Sequence, residues 1–445
     1  MAQMETCEIG EVIRKIRKEK GLRLEDLSDE HISPATISNL ERGIPHVKKE
    51  KLLYLLEKLD LSLNQLPELL MDEKQNLAHV RFQLEAIESM QRFNQLDPAL
   101  DSLNALGLDD GHPYAPTMYW LRGVCYMFQN KIERAERELF SAIRLSSQSS
   151  QAKWDNIESY SFNDLGLCAY KQNDLQKALK FTGSGLASFV PEGNRKVVKY
   201  ILLRNKAIYL ERLGRTVDAL NTVQDVWNDL AHIEQSETLF TFYWLRGELL
   251  RKSGAIDEAI QYARKGIELA SLNSYYKSAF DLWSLLGSLY TEKSAWDEAE
   301  TCFNLAMSMP KEMVYTNQYI NTCTKLGNLY LYKGDWEKAE EYLNLAIREG
   351  EDYTSPTYLT DAVLIKGHFY YKQKRIRKAI ASYQRAVELS KKFHFPDKEY
   401  QAWYHLARCW KDMDGKEFMH STENMFIAQE KLTQKERRGD HFEMV

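Results

Sequence analysis

A small residue recurs about every forty positions over most of this 445-residue chain. The successive steps are 43, 41 and then five of 40 residues. Twelve positions after each member of the series, except the last member, stands an alanine. A fixed period of this length predicts stacked helical units rather than one globular core, because closely crossing helices need small residues at the crossing. The series is Gly123, Gly166, Ala207, Gly247, Gly287, Gly327, Gly367 and Ala407, followed by Ala135, Ala178, Ala219, Ala259, Ala299, Ala339 and Ala379.

Each unit also carries bulky residues where a pair of packed helices would bury them. In the unit around Gly327, the large side chains are Leu326, Tyr330 and Leu343, and Gly334 marks the turn between helices. The pattern resembles the tetratricopeptide repeat, which it matches seven times between about residues 115 and 389. The resemblance implies an all-α chain in which residues 115–432 form a right-handed solenoid and residues 433–445 a polar tail.

Composition and motifs exclude several classes of protein. No apolar run approaches the eighteen or so residues of a spanning helix, and the N-terminus lacks a secretory signal pattern, so we expect a cytoplasmic protein with no membrane partner. The six cysteines are dispersed without a CxxC pair, which predicts no metal site. Phosphate-binding loops and HExxH or GxSxG motifs are missing from the sequence. We therefore expect neither an enzyme nor a cofactor.

The first seventy residues do not follow the repeat. Residues 9–21 read as a helix, residues 22–31 as a short second helix, and residues 33–42 as a third. Ser33 can cap the third helix, and Pro34 suits its first position because no N–H is needed there. Such a helix can lie in a major groove, and its outward residues would be Ala35, Thr36 and Asn39.

The segment SPATISNLERG resembles the phage-repressor (XRE-type) helix-turn-helix family. The resemblance implies a DNA-binding domain over residues 1–70, with contacts from Arg23, Ala35, Thr36, Asn39, Arg42 and Lys48. This head holds 11 Lys or Arg against 13 Asp or Glu, so its affinity for DNA would need a local basic patch and two copies. A cluster of cationic residues on the first helix could contact phosphates or simply form a solvated face; it comprises Arg14, Lys15, Arg17, Lys18 and Lys20.

An XRE-type head joined to about eight tetratricopeptide units, through a helical connector and degenerate repeat at residues 71–114, resembles the RRNPP family of peptide-sensing regulators. The similarity is greatest to the neutral-protease-regulator (NprR-like) type. It implies a quorum-sensing transcriptional regulator that binds promoter duplex DNA and an imported signalling peptide, and that forms a homodimer or homotetramer. The alternative is a Rap-like adaptor that sequesters a response-regulator protein of a sporulation phosphorelay, with DNA binding secondary.

Asparagines recur in the first helices of several units, where an amide can both donate to and accept from an extended peptide backbone. Asn163 and Asn205 resemble the peptide-clasping asparagines of the family. The full set of expected peptide-binding residues is Asn163, Tyr170, Asn205, Asn321 and Asn328. The alternative, in which these amides bond neighbouring helices or water, remains open at this point.

Overall fold

The computed structural model describes residues 2–43, 49–61, 65–230, 236–314, 316–352 and 355–440. Throughout these residues the regular secondary structure is helical, with no strand. The chain divides into two compact units, Met1–Gln235 and Ser236–Val445. The all-α architecture expected from the repeat period is confirmed.

The first unit contains the head and the early repeats. Its α-helices are α1 (Ala2–Glu19), α2 (Pro34–Glu41), α3 (Lys49–Lys58), α4 (Leu66–Arg92), α5 (Leu96–Leu106), α6 (Ala115–Phe128), α7 (Ile132–Ser146), α8 (Ser150–Trp154), α9 (Ile157–Lys171), α10 (Leu175–Ala187), α11 (Val197–Arg212) and α12 (Thr216–Trp227).

The second unit consists of consecutive helix pairs. They are α13 (Ser236–Lys252), α14 (Ile256–Leu272), α15 (Tyr276–Glu292), α16 (Trp296–Met307), α17 (Thr316–Lys333), α18 (Trp336–Asp352), α19 (Pro356–Lys372), α20 (Ile376–Phe393), α21 (Pro396–Trp410) and α22 (Gly415–Asp440). None of the described helices in either unit is both long enough and apolar enough to span a bilayer.

The recurring glycines mark the crossings of the helix pairs. A Cβ atom on Gly327 would lie 2.6 Å from Leu343, and one on Gly367 would lie 2.5 Å from Tyr383. In both pairs the bulky partner stands sixteen positions after the glycine, on the second helix of the unit. Glycine is therefore required because a large neighbour already fills the space, which explains why the period was visible in the sequence.

The head has a small core of its own, formed by α1, α2, α3 and the turn between α1 and α2. The buried members of this core are Ile13, Leu27, Ile32, Ile37, Leu55, Leu56 and Leu59. The segment expected to form a short second helix makes only one 3₁₀ turn, Glu25–Leu27. The Asp29 carboxylate accepts hydrogen bonds from the backbone N–H groups of His31 and Ile32, at 2.8 and 3.0 Å. These bonds offer the backbone an alternative to continuing as a helix.

The connector packs onto the first repeat. Helices α4 and α5 contribute Leu84, Ile87 and Leu103 to the apolar cluster that contains Leu121 of α6. Helix α4 begins at Leu66, so it runs across residue 70, where the sequence placed the end of the head. The proposed domain limits stay a prediction.

Candidate functional site

Helix α2 is built so that its outer side stays accessible. Its N-terminus is capped by Ser33, whose hydroxyl accepts a hydrogen bond from the Thr36 N–H at 3.2 Å. Ile37 points into the head core, whereas Ala35 is exposed and Asn39 is half-buried. The candidate base-reading side chains therefore lie on the side of α2 away from the core.

An ion pair clamps the end of α2 to α1. The guanidinium of Arg17 donates from Nε to Glu41 Oε1 at 2.6 Å and from Nη2 to Glu41 Oε2 at 2.8 Å. A third bond runs from Arg17 Nη1 to the Leu22 carbonyl at 2.9 Å. Both side chains are largely buried, with 12% of Arg17 and 6% of Glu41 exposed. Two-point recognition of a carboxylate fixes orientation as well as distance, so the clamp sets the direction of α2.

The remaining expected DNA contacts lie at the edges of α2. Arg23 is exposed in the turn before the 3₁₀ segment, and its N–H donates to Asp26 at 2.7 Å. Arg42 is the C-cap residue of α2 and lines a cleft together with Asp110. Lys48 lies outside the described residues. The structure thus places five of the six expected residues on or beside α2, and their role stays a prediction.

The basic cluster of α1 is engaged by acidic residues of the same chain. Every member has a carboxylate within ion-pair distance, so the cluster does not form an unpaired cationic patch. Arg14 and Arg17 are also largely buried, so the solvated face does not describe these two, and a role of the cluster in DNA binding stays a prediction. The pairs are Arg14 with Glu11 and Asp109 (3.0 and 2.7 Å), Lys15 with Glu73 (3.8 Å), Arg17 with Glu41 (2.6 Å), Lys18 with Asp109 (2.5 Å) and Lys20 with Asp60 (2.8 Å).

Two of these pairs dock the head against the connector. Asp109, in the loop between α5 and α6, bonds both Arg14 and Lys18 of α1. Beside this contact is a cavity of about 350 Å³ whose lining includes Glu11 and His112. Glu11 is only 4% exposed, and its Oε1 has no hydrogen-bond partner among the described residues. Burial raises the pKa of Glu11 to about 8 and lowers the pKa of His112 to about 4.

The two asparagines expected to clasp a peptide bond each other. Asn205 Nδ2 donates to Asn163 Oδ1 at 2.8 Å, and Asn163 Nδ2 donates to Asp164 Oδ1 at 2.9 Å. Trp120 Nε1 donates to the other Asp164 oxygen at 2.7 Å. Both amides are buried, with 5% of Asn163 and 3% of Asn205 exposed. We call this set of four residues the amide network.

The amide network is satisfied internally in the free protein. Burial raises the pKa of Asp164 to about 6, although the bonds from Trp120 and Asn163 oppose the shift. Arg204 Nε donates a hydrogen bond of 3.2 Å to the side-chain Oδ1 of Asn205. In this conformation the amides of Asn163 and Asn205 therefore bond neighbouring helices, which is the alternative to peptide binding that the sequence left open. A peptide would have to exchange its own amide groups for the bond between Asn163 and Asn205.

The other expected peptide-binding residues lie apart from the amide network. Tyr170 is exposed and stacks on Tyr209, with ring centroids 5.4 Å apart. In the second unit, Asn321 and Asn328 are half-buried on α17 and share one face of that helix with Lys325. Burial lowers the pKa of the Lys325 ammonium. The structure does not test the binding role of any of these residues.

Two acidic residues of these sites were missed in the sequence. Asp109 is 95 positions from Arg14, and Asp164 is 44 positions from Trp120. Neither belongs to a motif or a periodic position that local patterns would single out. An Asp next to Asn163 on a mid-repeat helix was a weak signal, because a buried carboxylate needs dedicated partners.

Comparisons with known proteins support this architecture. The helix-turn-helix family matches residues 13–66, and tetratricopeptide repeat families match residues 240–271 and 324–392. A search of curated protein sequences gives no match. The expected combination of an XRE-type head with tetratricopeptide repeats is confirmed.

Among solved structures, a Rap protein complexed with competence and sporulation factor aligns with a TM-score of 0.58 at 14% identity, over 80% of this chain and 99% of the other. The apo form of the quorum sensor NprR from B. thuringiensis aligns with a TM-score of 0.56 at 14% identity, over the same shares of the two chains. NprR in complex with its cognate peptide NprX gives 0.54 at 12% identity, again over 80% and 99%. At these identities the alignments establish a shared fold.

Proposed function

We propose that this chain is a peptide-sensing transcriptional regulator of the RRNPP type. In this proposal α2 reads promoter DNA, and a short signalling peptide binds the inner faces of the first repeat helices and controls the head. The observation that carries it is α2 itself, which is capped by Ser33, clamped through Arg17 and Glu41, and turned outward at Ala35 and Asn39. Two fold relatives are complexes with a named peptide or factor, which supports a peptide ligand here.

The DNA part of the proposal is tested with the full chain and promoter fragments from its own gene neighbourhood. Thr36→Ala combined with Asn39→Ala should remove sequence discrimination, because each good base contact contributes about 1–3 kcal/mol. Arg42→Ala should weaken binding to all sequences and flatten its salt dependence. Glu57→Ala on the exposed side of α3 is the control and should change neither quantity. Full operator preference in the double variant would contradict the assignment of α2.

The peptide part is tested by calorimetry with short peptides encoded beside the gene. Asn163→Ala should weaken binding about ten- to a hundredfold, since an unpaired peptide group in a buried site costs about 1–3 kcal/mol. Unchanged affinity in Asn163→Ala and in Asn205→Ala would place the peptide elsewhere. Light scattering during the same titration tests whether the peptide changes a homodimer or homotetramer, because one slightly acidic head offers few phosphate contacts and two heads would be needed.

A second candidate is the Rap-like adaptor that binds a response regulator. The internal neutralisation of the α1 cluster favours it, because Arg14 and Lys18 already pair with Asp109, which reduces the net charge they offer to phosphates. Sedimentation with a purified response regulator distinguishes the two. An adaptor should bind that protein equally well in the wild type and in the Thr36→Ala, Asn39→Ala variant.

A further inference from the structure

An arginine of the chain lies against two aromatic rings, Trp120 and Tyr160, that pack on each other beside the amide network; we call these two rings together with Glu88 the cage. The guanidinium carbon of Arg195 lies 5.3 Å from the ring centroid of Trp120 and 5.9 Å from that of Tyr160. The two ring centroids are 5.0 Å apart. Arg195 Nη1 also donates to Glu88 Oε2 at 2.8 Å, while the other oxygen of this carboxylate accepts a hydrogen bond from the exposed Arg92 at 2.8 Å. Two rings and a carboxylate are the groups that recognise a guanidinium through cation–π attraction and a charge-assisted bond.

The backbone holds Arg195 in this position at a conformational cost. Its φ angle is +54°, in the left-handed region that side chains other than glycine seldom adopt. The residue before it is firmly anchored: Asn156 Nδ2 donates to the Asn194 carbonyl at 2.7 Å, and Asn194 Nδ2 donates to Asp155 at 2.8 Å. A non-glycine residue in this region is a reason to look for a function.

The cage can exchange its occupant without opening the core. The Arg195 side chain retains 26% exposure, so it can swing into solvent while its anchored neighbours stay in place. Trp120 belongs to both the cage and the amide network, because its ring contacts Arg195 while its Nε1 donates to Asp164. A peptide held by Asn163 would therefore have the cage beside it.

We propose that Trp120, Tyr160 and Glu88 form a subsite for an arginine side chain of the bound peptide, and that Arg195 fills this subsite when no peptide is present. The proposal rests on the proposed function, in which the first repeat helices hold a peptide. It adds that the ligand is basic at one position and competes with a group of the receptor. Removing Arg195 should consequently strengthen binding, whereas removing an ordinary contact residue weakens it.

The first test uses blocked amino acids as probes and does not require the natural peptide. Acetyl-arginine amide should bind Arg195→Ala at least about tenfold more tightly than it binds the wild type, and about tenfold more tightly than the uncharged acetyl-citrulline amide binds the variant. Adding Glu88→Gln should abolish the difference between the two probes. Calorimetry gives the affinities, and ¹⁹F signals of 5-fluorotryptophan report whether Trp120 senses the probe.

A matched control separates the cage from a simple ion pair. Arg144 also pairs with a carboxylate, Asp110 at 2.9 Å, but among the described residues no aromatic ring stacks on it. Arg144→Ala should create no affinity for acetyl-arginine amide. If Arg195→Ala proves too unstable to study, Arg195→Gln keeps the aliphatic stem and should show the same preference. The proposal is overturned if neither variant prefers the arginine probe over citrulline.

The second test uses the peptide found by the calorimetric search. Replacing its arginine with citrulline should weaken binding to the wild type, and Arg195→Ala should bind the arginine form more tightly than the wild type does. A weaker interaction in Arg195→Ala would refute the competition. If the blocked-probe test fails, the arginine subsite is refuted, whereas the proposal that the repeats bind a peptide is unaffected. Conversely, if acetyl-arginine amide binds Arg195→Ala but the wild type binds no peptide, the proposed function alone is refuted.

Discussion

Removing the clamp on α2 should destabilise the head by an amount that depends on pH. Arg17→Met deletes three hydrogen bonds and leaves Glu41 buried without its cation. Breaking a buried pair in this way costs about 3–5 kcal/mol. We therefore expect the head to lose about 3–5 kcal/mol of stability at neutral pH.

The same reasoning fixes the direction of the pH effect. A buried carboxylate that has lost its cation is destabilising chiefly in its charged form, so the defect of Arg17→Met should shrink as the pH falls from 7 to 5. Hydrogen exchange of the α2 amides measures it. At pH 7 exchange through opening of the head should accelerate by about a hundredfold to a thousandfold, with a smaller acceleration at pH 5 after correction for intrinsic rates.

Two further variants sharpen this experiment. Lys20→Met breaks an ion pair directly after α1, but its partner Asp60 is largely exposed, so α2 protection should barely change. Adding Glu41→Leu to Arg17→Met removes the stranded charge and should restore part of the protection. A defect in Arg17→Met that is equal at both pH values would show that lost packing, and not a buried charge, is responsible.

Three other predictions follow from single contacts. Burial gives Glu11 a pKa of about 8 against 4.5 when exposed, so between these pH values the folded protein retains a proton that the unfolded chain releases. As the pH rises from 5 to 8, the wild type should therefore lose stability relative to Glu11→Gln by up to about 1.4 kcal/mol per pH unit. Thermal melts of the two proteins measure this difference. Gly327→Ala should cost about 1–3 kcal/mol in urea unfolding because its Cβ meets Leu343, whereas Gly183→Ala, with nothing within 4 Å, should cost nothing. Asn205→Leu should cost about 1–3 kcal/mol by the same method, since it strands a buried amide oxygen, and an unchanged midpoint would mean that the pair does not form.

The repeat architecture could be predicted because its causes are local and periodic. A glycine such as Gly287 and its bulky partner Phe303 stand sixteen positions apart in one helix pair, where a Cβ would come within 2.8 Å of the ring. Helix α2 could be predicted equally well, since Ser33 and Pro34 signal a helix start without reference to the rest of the fold.

The sites were harder to predict because their partners are distant in sequence. Glu88 and Arg195 are 107 positions apart, and although Gly193 and Asn194 mark a turn, nothing in the sequence shows that Arg195 itself adopts the left-handed conformation. The bond between Asn163 and Asn205 joins two neighbouring repeats, although Asn163 stands three positions before Gly166 and Asn205 only two before Ala207. Residue type identified both asparagines as unusual, but only the packing of α9 against α11 shows what they bond.

The ion pairs that occupy α1 have a consequence for how a regulator of this kind would search a genome. A chromosome presents millions of non-specific sites, and a strongly basic head would spend most of its time on them. Arg14 and Lys18 are already paired with Asp109, so α1 offers phosphates less net positive charge than its sequence suggests. If it binds DNA as proposed, most copies should remain off the chromosome until a site offers matching bases. The pool that meets an incoming peptide would then be the freely diffusing one.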